Sequence, residues 1–173
     1  MLDAAIKADQ SNPLPYSWKA CTIGQSIALG FREDNDQSKA DLLEALSKAN
    51  ELNDNDWNAL RIIAEAHLTL DDFQQSMVYA NKAYNSNPNH PYVLWIYGRI
   101  LMRFGKVKDG IKILEHLYDI EPMALADVNT DRILKELFLA HYLDNNYKRS
   151  QEIFEEIYAV SYTHLTLPTR RGG

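Results

Sequence analysis

Apolar residues recur at three-to-four spacing through most of the chain, in stretches separated by short polar turns. That is the pattern of amphipathic helices, and the alternating Val, Ile and Thr runs that would signal strands are missing before residue 160. Two neighbouring segments, Trp57 to His90 and Pro91 to Ala124, align without a gap. The pairs Leu60/Leu94, Ile62/Ile96, Ala64/Gly98, Leu68/Met102, Leu70/Phe104, Phe73/Val107, Ser76/Gly110 and Pro88/Pro122 are each 34 residues apart. So many coincidences at one spacing mark a structural repeat.

Each segment predicts two helices, over 56–69 and 73–85 and then over 91–104 and 107–119, joined by turns at Asp71-Asp72 and Gly105-Lys106. Ala64 and Gly98 fall in the first helix of each pair, Ser76 and Gly110 in the second. Small side chains there let two antiparallel backbones approach closely. Pro88 and Pro122 follow the second helices, where a residue that cannot continue a helix ends the unit.

These positions resemble the tetratricopeptide repeat, a 34-residue helical hairpin. Its pattern places bulky residues near positions 4, 7 and 11, small ones at 8, 20 and 27, and proline at 32. Numbered from Trp57 and from Pro91, both units match at 4, 8, 20 and 32. Each departs once: at position 11 His67 replaces a bulky apolar residue where the other unit has Leu101, and at position 27 Leu117 replaces a small residue where the other unit has Ala83. The resemblance implies an all-α fold, a right-handed superhelix of antiparallel helical hairpins.

The pattern continues outward less strictly. Leu46 and Ala49 lie 34 before Ala80 and Ala83, so 38–51 predicts a second helix whose first helix covers 16–31, with a polar insertion at Arg32 to Gln37 between them. Tyr147, Ser150, Phe154 and Ile157 repeat Val107, Gly110, Leu114 and Leu117 at a spacing of 40, which predicts a fourth unit with a similar insertion. Residues 2–9 read as the last helix of a unit whose first helix is missing, so the chain is expected to start within a repeat. Residues 1–158 are then expected to form the repeat array. From Ala159 to Thr169 the helical periodicity is lost, and this stretch resembles a translated sequencing adapter; 159–173 is expected to be a non-native tail or a disordered one.

Composition narrows the function. The formal charge is −6, with 18 basic and 24 acidic residues, which argues against general attraction to nucleic-acid phosphates. The expected tail holds two of the basic residues, Arg170 and Arg171, and no acidic one, so setting it aside makes the acidic balance firmer. No run approaches the roughly 18 apolar residues of a membrane-spanning helix, and the amino terminus lacks a signal layout, so the expected compartment is the cytoplasm. The single Cys21 is expected to be a small core side chain.

Reactive motifs are not found. Gly98 to Lys106 lacks the spacing and the Ser or Thr of a phosphate loop, and Asp34-Asn35-Asp36 lacks the turn glycine and final glutamate of a calcium loop. The histidines His67, His90, His116, His141 and His164 show no metal-ligand pairing, and no serine sits in a nucleophile elbow. No enzyme activity, catalytic residue, metal or cofactor is expected.

The expected function is a protein-interaction scaffold. In the family that the repeat resembles, positions 2, 5, 9 and 12 of each first helix face a concave groove. Carried over, these are Asn58, Arg61, Glu65 and Leu68 in one unit, Tyr92, Trp95, Arg99 and Met102 in the next, and Arg132 and Lys135 in the fourth. Tyr92 and Trp95 beside arginine have the composition of binding hot spots, although Trp95 also reads as a core residue. Arg99, Arg103, Arg132 and Lys135 would form a basic stripe that favours an acidic protein or peptide segment. The subgroup that clamps carboxylate tails wants asparagine at position 9, and Gln25, Glu65 and Arg99 do not supply it. The Arg32-Glu33-Asp34 insertion is also similar to repeat regions behind class III nucleotide cyclases and some bacterial transcription regulators, which would make the chain the regulatory end of a larger signalling protein.

Overall fold

A computed structural model describes residues 1–53, 55–120 and 130–166, with side chains to Tyr158 apart from those of 130 and 131. The described elements are all helices: α1 (Leu2–Ala8), α2 (Pro13–Ala28), α3 (Asp36–Leu52), α4 (Trp57–Thr69), α5 (Phe73–Ser86), α6 (Pro91–Arg103), α7 (Val107–Ile120), α8 (Thr130–Leu143) and α9 (Tyr147–Thr166). They pair as antiparallel hairpins, α2 with α3, α4 with α5, α6 with α7 and α8 with α9. Successive hairpins stack, α4 on α2, α6 on α5 and α8 on α7, giving a tetratricopeptide-type solenoid. None of these helices is long and apolar enough to cross a membrane.

Local chemistry explains where each helix begins and turns. The side chains of Asn12, Asn35, Asp56, Asp72 and His90 each accept from a backbone N–H in the first turn of the helix that follows, satisfying donors that have no partner within the helix. Asn35 therefore serves as the cap of α3, and its neighbour Asp34 pairs with Lys39 at 2.8 Å. Three hairpins turn identically. Asp71, Gly105 and Asn145 adopt positive φ angles of 56°, 84° and 60°. In each turn the next residue's N–H closes back on the helix, Asp72 to His67 at 3.0 Å, Lys106 to Leu101 at 2.8 Å and Asn146 to His141 at 2.9 Å. This is the glycine-type helix stop, at which Asn and Asp are the tolerated substitutes.

The core lies between the two helices of each hairpin and between successive hairpins. Its main body joins Leu94, Ile96 and Ile100 of α6 to Leu114 and Leu117 of α7 and to Ile133, Leu134 and Leu137 of α8. A second body joins Ala20 and Ile23 to Leu42, Leu46, Ile63 and Ala66. Small residues meet where the hairpins cross. The hydroxyl of Ser76 donates to the carbonyl of Ala64 at 2.9 Å, and that of Ser150 to the carbonyl of Phe138 at 3.1 Å. In the hairpin between them, a Cβ on Gly110 would stand 2.9 Å from the Gly98 carbonyl oxygen and 2.6 Å from Met102 Cγ.

Helix positions follow the sequence expectation with local differences. The first helix of the first full hairpin covers Pro13–Ala28 rather than 16–31, because Asn12 caps it and prolines favour a first turn. The polar insertion falls at 29–35, where Arg32 donates from Nε to Ser38 at 3.0 Å and pairs with Asp41. The insertion expected in the fourth unit lies largely in 121–129, outside the described residues. The loss of periodicity after Tyr158 does not stop α9, which continues to Thr166. No glycine or proline interrupts 159–166, and extending an existing helix through such residues costs little. Residues 167–173 lie outside the described residues.

The crossing yields a stability test. Gly110→Ala gains about 1 kcal/mol of helix propensity but drives its methyl into a backbone oxygen that cannot retreat without opening the hairpin. A net loss on the order of 1 to 3 kcal/mol is expected in urea titrations, and Gly98→Leu, whose Cβ would stand 2.7 Å from Leu114 Cγ, should lose at least as much. Unchanged unfolding midpoints would contradict the crossing.

Candidate functional site

The first helices of the hairpins, α2, α4, α6 and α8, adjoin one another along one side of the stack. Arginines, carboxylates and aromatic rings meet there. Arg61 of α4 lies between the ring of Trp18 from α2, 5.5 Å from its guanidinium carbon, and the ring of Tyr92 from α6, 4.8 Å away. Its Nε donates to Asn58 Oδ1 at 2.9 Å. The residue is only 6% exposed, and burial pushes its guanidinium below the usual value, though an arginine keeps its charge in water at any ordinary pH.

One turn further on, the chemistry changes. Arg99 of α6 covers the Trp95 ring at 4.7 Å, donates from Nε to Glu136 of α8 at 2.8 Å, and stands 3.7 Å from Glu65 of α4. Three hairpins are thus tied through one guanidinium. Glu65 is mostly buried, and desolvation pushes its carboxyl above the ordinary glutamate range against the pull of Arg99 and then Arg61. Beside this network is a cleft of about 510 Å³, lined by Gln25, Leu68, Trp95, Arg99, Arg103, Arg132, Lys135 and Glu136 among others. Arg103, Arg132 and Lys135 are exposed at its rim.

Several sequence expectations acquire definite places. Asn58, Arg61 and Tyr92 come together in one cluster, and Glu65, Leu68, Trp95, Arg99, Arg132 and Lys135 border the cleft. Trp95 is both a core residue and a cleft residue: 9% exposed, packed in the main core, with its indole N–H buried and unpartnered. Met102 is a correction. It is 5% exposed and turned toward Gly110, because the missing side chain at 110 leaves room that the Met102 stem fills. Trp18 and Glu136 belong to the site and were not expected. Trp18 lies 40 before Asn58, the same offset that relates Gln25 to Glu65, so the position was accessible from the insertion.

Other reactive side chains have structural settings. Cys21 is 1% exposed, and burial, reinforced by the Glu65 charge, pushes its thiol up to about 12. His67 stacks on Tyr79 with 5.4 Å between centroids, and its Nδ1 lies 3.3 Å from Asp72. His141 Nε2 lies 3.2 Å from Glu115. His90 caps α6, and His164 lies beyond the described side chains. Among the described residues no three His, Cys, Asp or Glu side chains cluster as a metal site.

No known protein-family profile matches the sequence, and no curated protein matches it. Solved structures do match in fold. The crystal structure of MamA aligns with a TM-score of 0.64 at 17% identity, over 96% of this chain and 88% of that one. A MamA RS-1 double mutant aligns with a TM-score of 0.66 at 13% identity, over 96% and 84%. YrrB, described as a TPR protein with an unusual peptide-binding site, aligns with a TM-score of 0.63 at 12% identity, over 95% and 76%. At these identities the likeness is one of fold, the tetratricopeptide solenoid.

The Glu65 environment has a pH signature. Because the folded state raises this carboxyl above its unfolded value near 4.5, the folded state binds more protons just above that pH, and stability falls as pH rises through the window. Relative to Glu65→Gln, the unaltered protein should lose melting temperature on going from pH 4 to pH 7. A difference that stays constant across this range would contradict the desolvated carboxylate.

Proposed function

We propose that the chain is a non-enzymatic protein-interaction scaffold whose first-helix face, a concave groove, binds a peptide or protein segment of acidic character. The observation that carries this reading is the alternation of rings and guanidinium groups across successive hairpins, Trp18, Arg61 and Tyr92 in one row and Trp95 with Arg99 in the next. Aromatic and arginine side chains held rigid at low conformational cost are what concentrated binding energy requires. The exposed Arg103, Arg132 and Lys135 beside the cleft add the positive field that would steer an acidic segment toward it. That YrrB, of similar fold, is described as having a peptide-binding site supports the same use of this architecture. In this reading residues 1–158 are the binding array, 159–173 take no part, and neither nucleic acid nor membrane is a direct ligand; the compartment is the cytoplasm.

Selection of random phage-displayed peptides on the immobilised protein tests the proposal. Acidic peptides should be enriched, and their affinity should fall at least tenfold on Tyr92→Ala or on the pair Arg132→Glu and Lys135→Glu, with the helical circular dichroism unchanged. Arg132 and Lys135, exposed at the rim, suit the test better than Trp95 and Arg99, which also hold the hairpins together. No enrichment above an unrelated helical protein, or affinities indifferent to these substitutions, would overturn the reading.

A further inference from the structure

The α8–α9 end of the stack is unlike its interior. Phe154 of α9 lies 40 residues after Leu114 of α7, and Tyr142 of α8 lies 40 after Met102 of α6, so each pair holds one position in the repeat. Leu114 and Met102 are buried in a core that includes Ile133, Leu134 and Leu137 of the following hairpin. Phe154 and Tyr142 are instead 55% and 54% exposed. Tyr147 and Tyr158 of α9 are exposed as well, and the rings of Tyr142 and Tyr147 meet with 5.5 Å between centroids. A solenoid end that faces water ordinarily carries polar side chains, and an apolar patch at that place marks an interface.

Along α9 the exposed seam runs Tyr147, Gln151, Phe154 and Tyr158, the heptad spacing of a helix that packs lengthwise on another. Lys148 and Glu155 each follow a ring of the seam by one residue, so both flank it on the same side. When two such helices run antiparallel, like flanks meet. Lys148 of one copy then stands opposite Glu155 of the other, and the reciprocal pair forms with it. A parallel pairing would set these charges against Ser150 and Ile157 and form neither ion pair. Other charges nearby are committed within the chain: Arg149 pairs with Glu152 at 3.2 Å, and Glu156 accepts from the Tyr118 hydroxyl. Neither Lys148 nor Glu155 pairs with an opposite charge among the described residues.

We propose that this end face is where two copies of the chain pair, α9 packed antiparallel on α9 of the second copy, rings against rings, with Lys148 and Glu155 exchanged across a two-fold axis. Self-complementarity selects the occupant, since one surface presents both the apolar seam and the two charges that it needs from its neighbour. The pairing uses no residue assigned to the groove, so it stands or falls apart from that reading.

Sedimentation equilibrium of the full chain, from low to high micromolar concentration, tests it. One chain has a mass of 19.9 kDa, and the unaltered protein should reach twice that mass. Lys148→Glu and Glu155→Lys should each weaken association about tenfold or more, because each sets like charges opposite one another. The variant that carries both reversals should recover most of the loss. Phe154→Glu should leave a monomer; because this ring also packs on Phe138, with 6.1 Å between centroids, its circular dichroism is read alongside. Should that variant fail to fold, the charge variants decide, since both positions are exposed. A monomer at every concentration, association indifferent to the single reversals, or losses that the double reversal does not recover would overturn the proposal. Masses that climb beyond the dimer would overturn it too, because they require unlike faces to meet.

Discussion

Everything in this fold depends on how closely the two helices of a hairpin can approach where they cross. At that point the side chain on the second helix meets the backbone of the first, as Ser76 meets the Ala64 carbonyl and Ser150 the Phe138 carbonyl. Where both residues are glycine, at 98 and 110, space for even a methyl group is absent. A serine hydroxyl converts the tight contact into a hydrogen bond, and a glycine removes the obstacle; a larger side chain would separate the helices and disturb the stacking of the next hairpin. Because the crossing recurs, the stack is regular, and because the stack is regular, first helices line up with first helices.

That alignment brings charges together from far apart in the sequence. Glu65, Arg99 and Glu136 come from three different hairpins, and their ion pairs cross both boundaries between them. The two carboxylates pair directly with Arg99, while Arg61 stacks against two rings and feels the Glu65 charge without an ion-pair contact. The face therefore combines a tie between hairpins with a ring-stacked arginine one turn away.

The hairpins were legible in the sequence because their causes are local. Asp71, Gly105 and Asn145 tolerate the left-handed turn, capping residues precede the helices, and small residues mark the crossing at fixed spacing. Residue types at the site were legible for the same reason, since positions on a first helix follow from the repeat. Pairing was not. Glu136 lies outside the positions expected to face the groove, and its bond to Arg99 depends on how α8 settles against α6. The inward turn of Met102 depends on what is missing at Gly110, a feature of the partner helix. Trp18 was hidden by an insertion that moves the repeat from 34 to 40 residues. Loss of a clear apolar stripe after Tyr158 was a poor guide to where α9 stops, since continuing a helix needs only the absence of a breaker.

That Arg99 ties successive hairpins together is the central claim, and a double-mutant cycle on Arg99 and Glu136 tests it most directly. Arg99→Met, Glu136→Gln and the combined variant would be compared by chemical denaturation with the unaltered chain. A strut between hairpins predicts a coupling energy of about 1 kcal/mol, with each single change costing nearly as much as both together. Additive losses, with a coupling indistinguishable from zero, would show that Arg99 is not committed to the fold and would return it to the groove as a free cation.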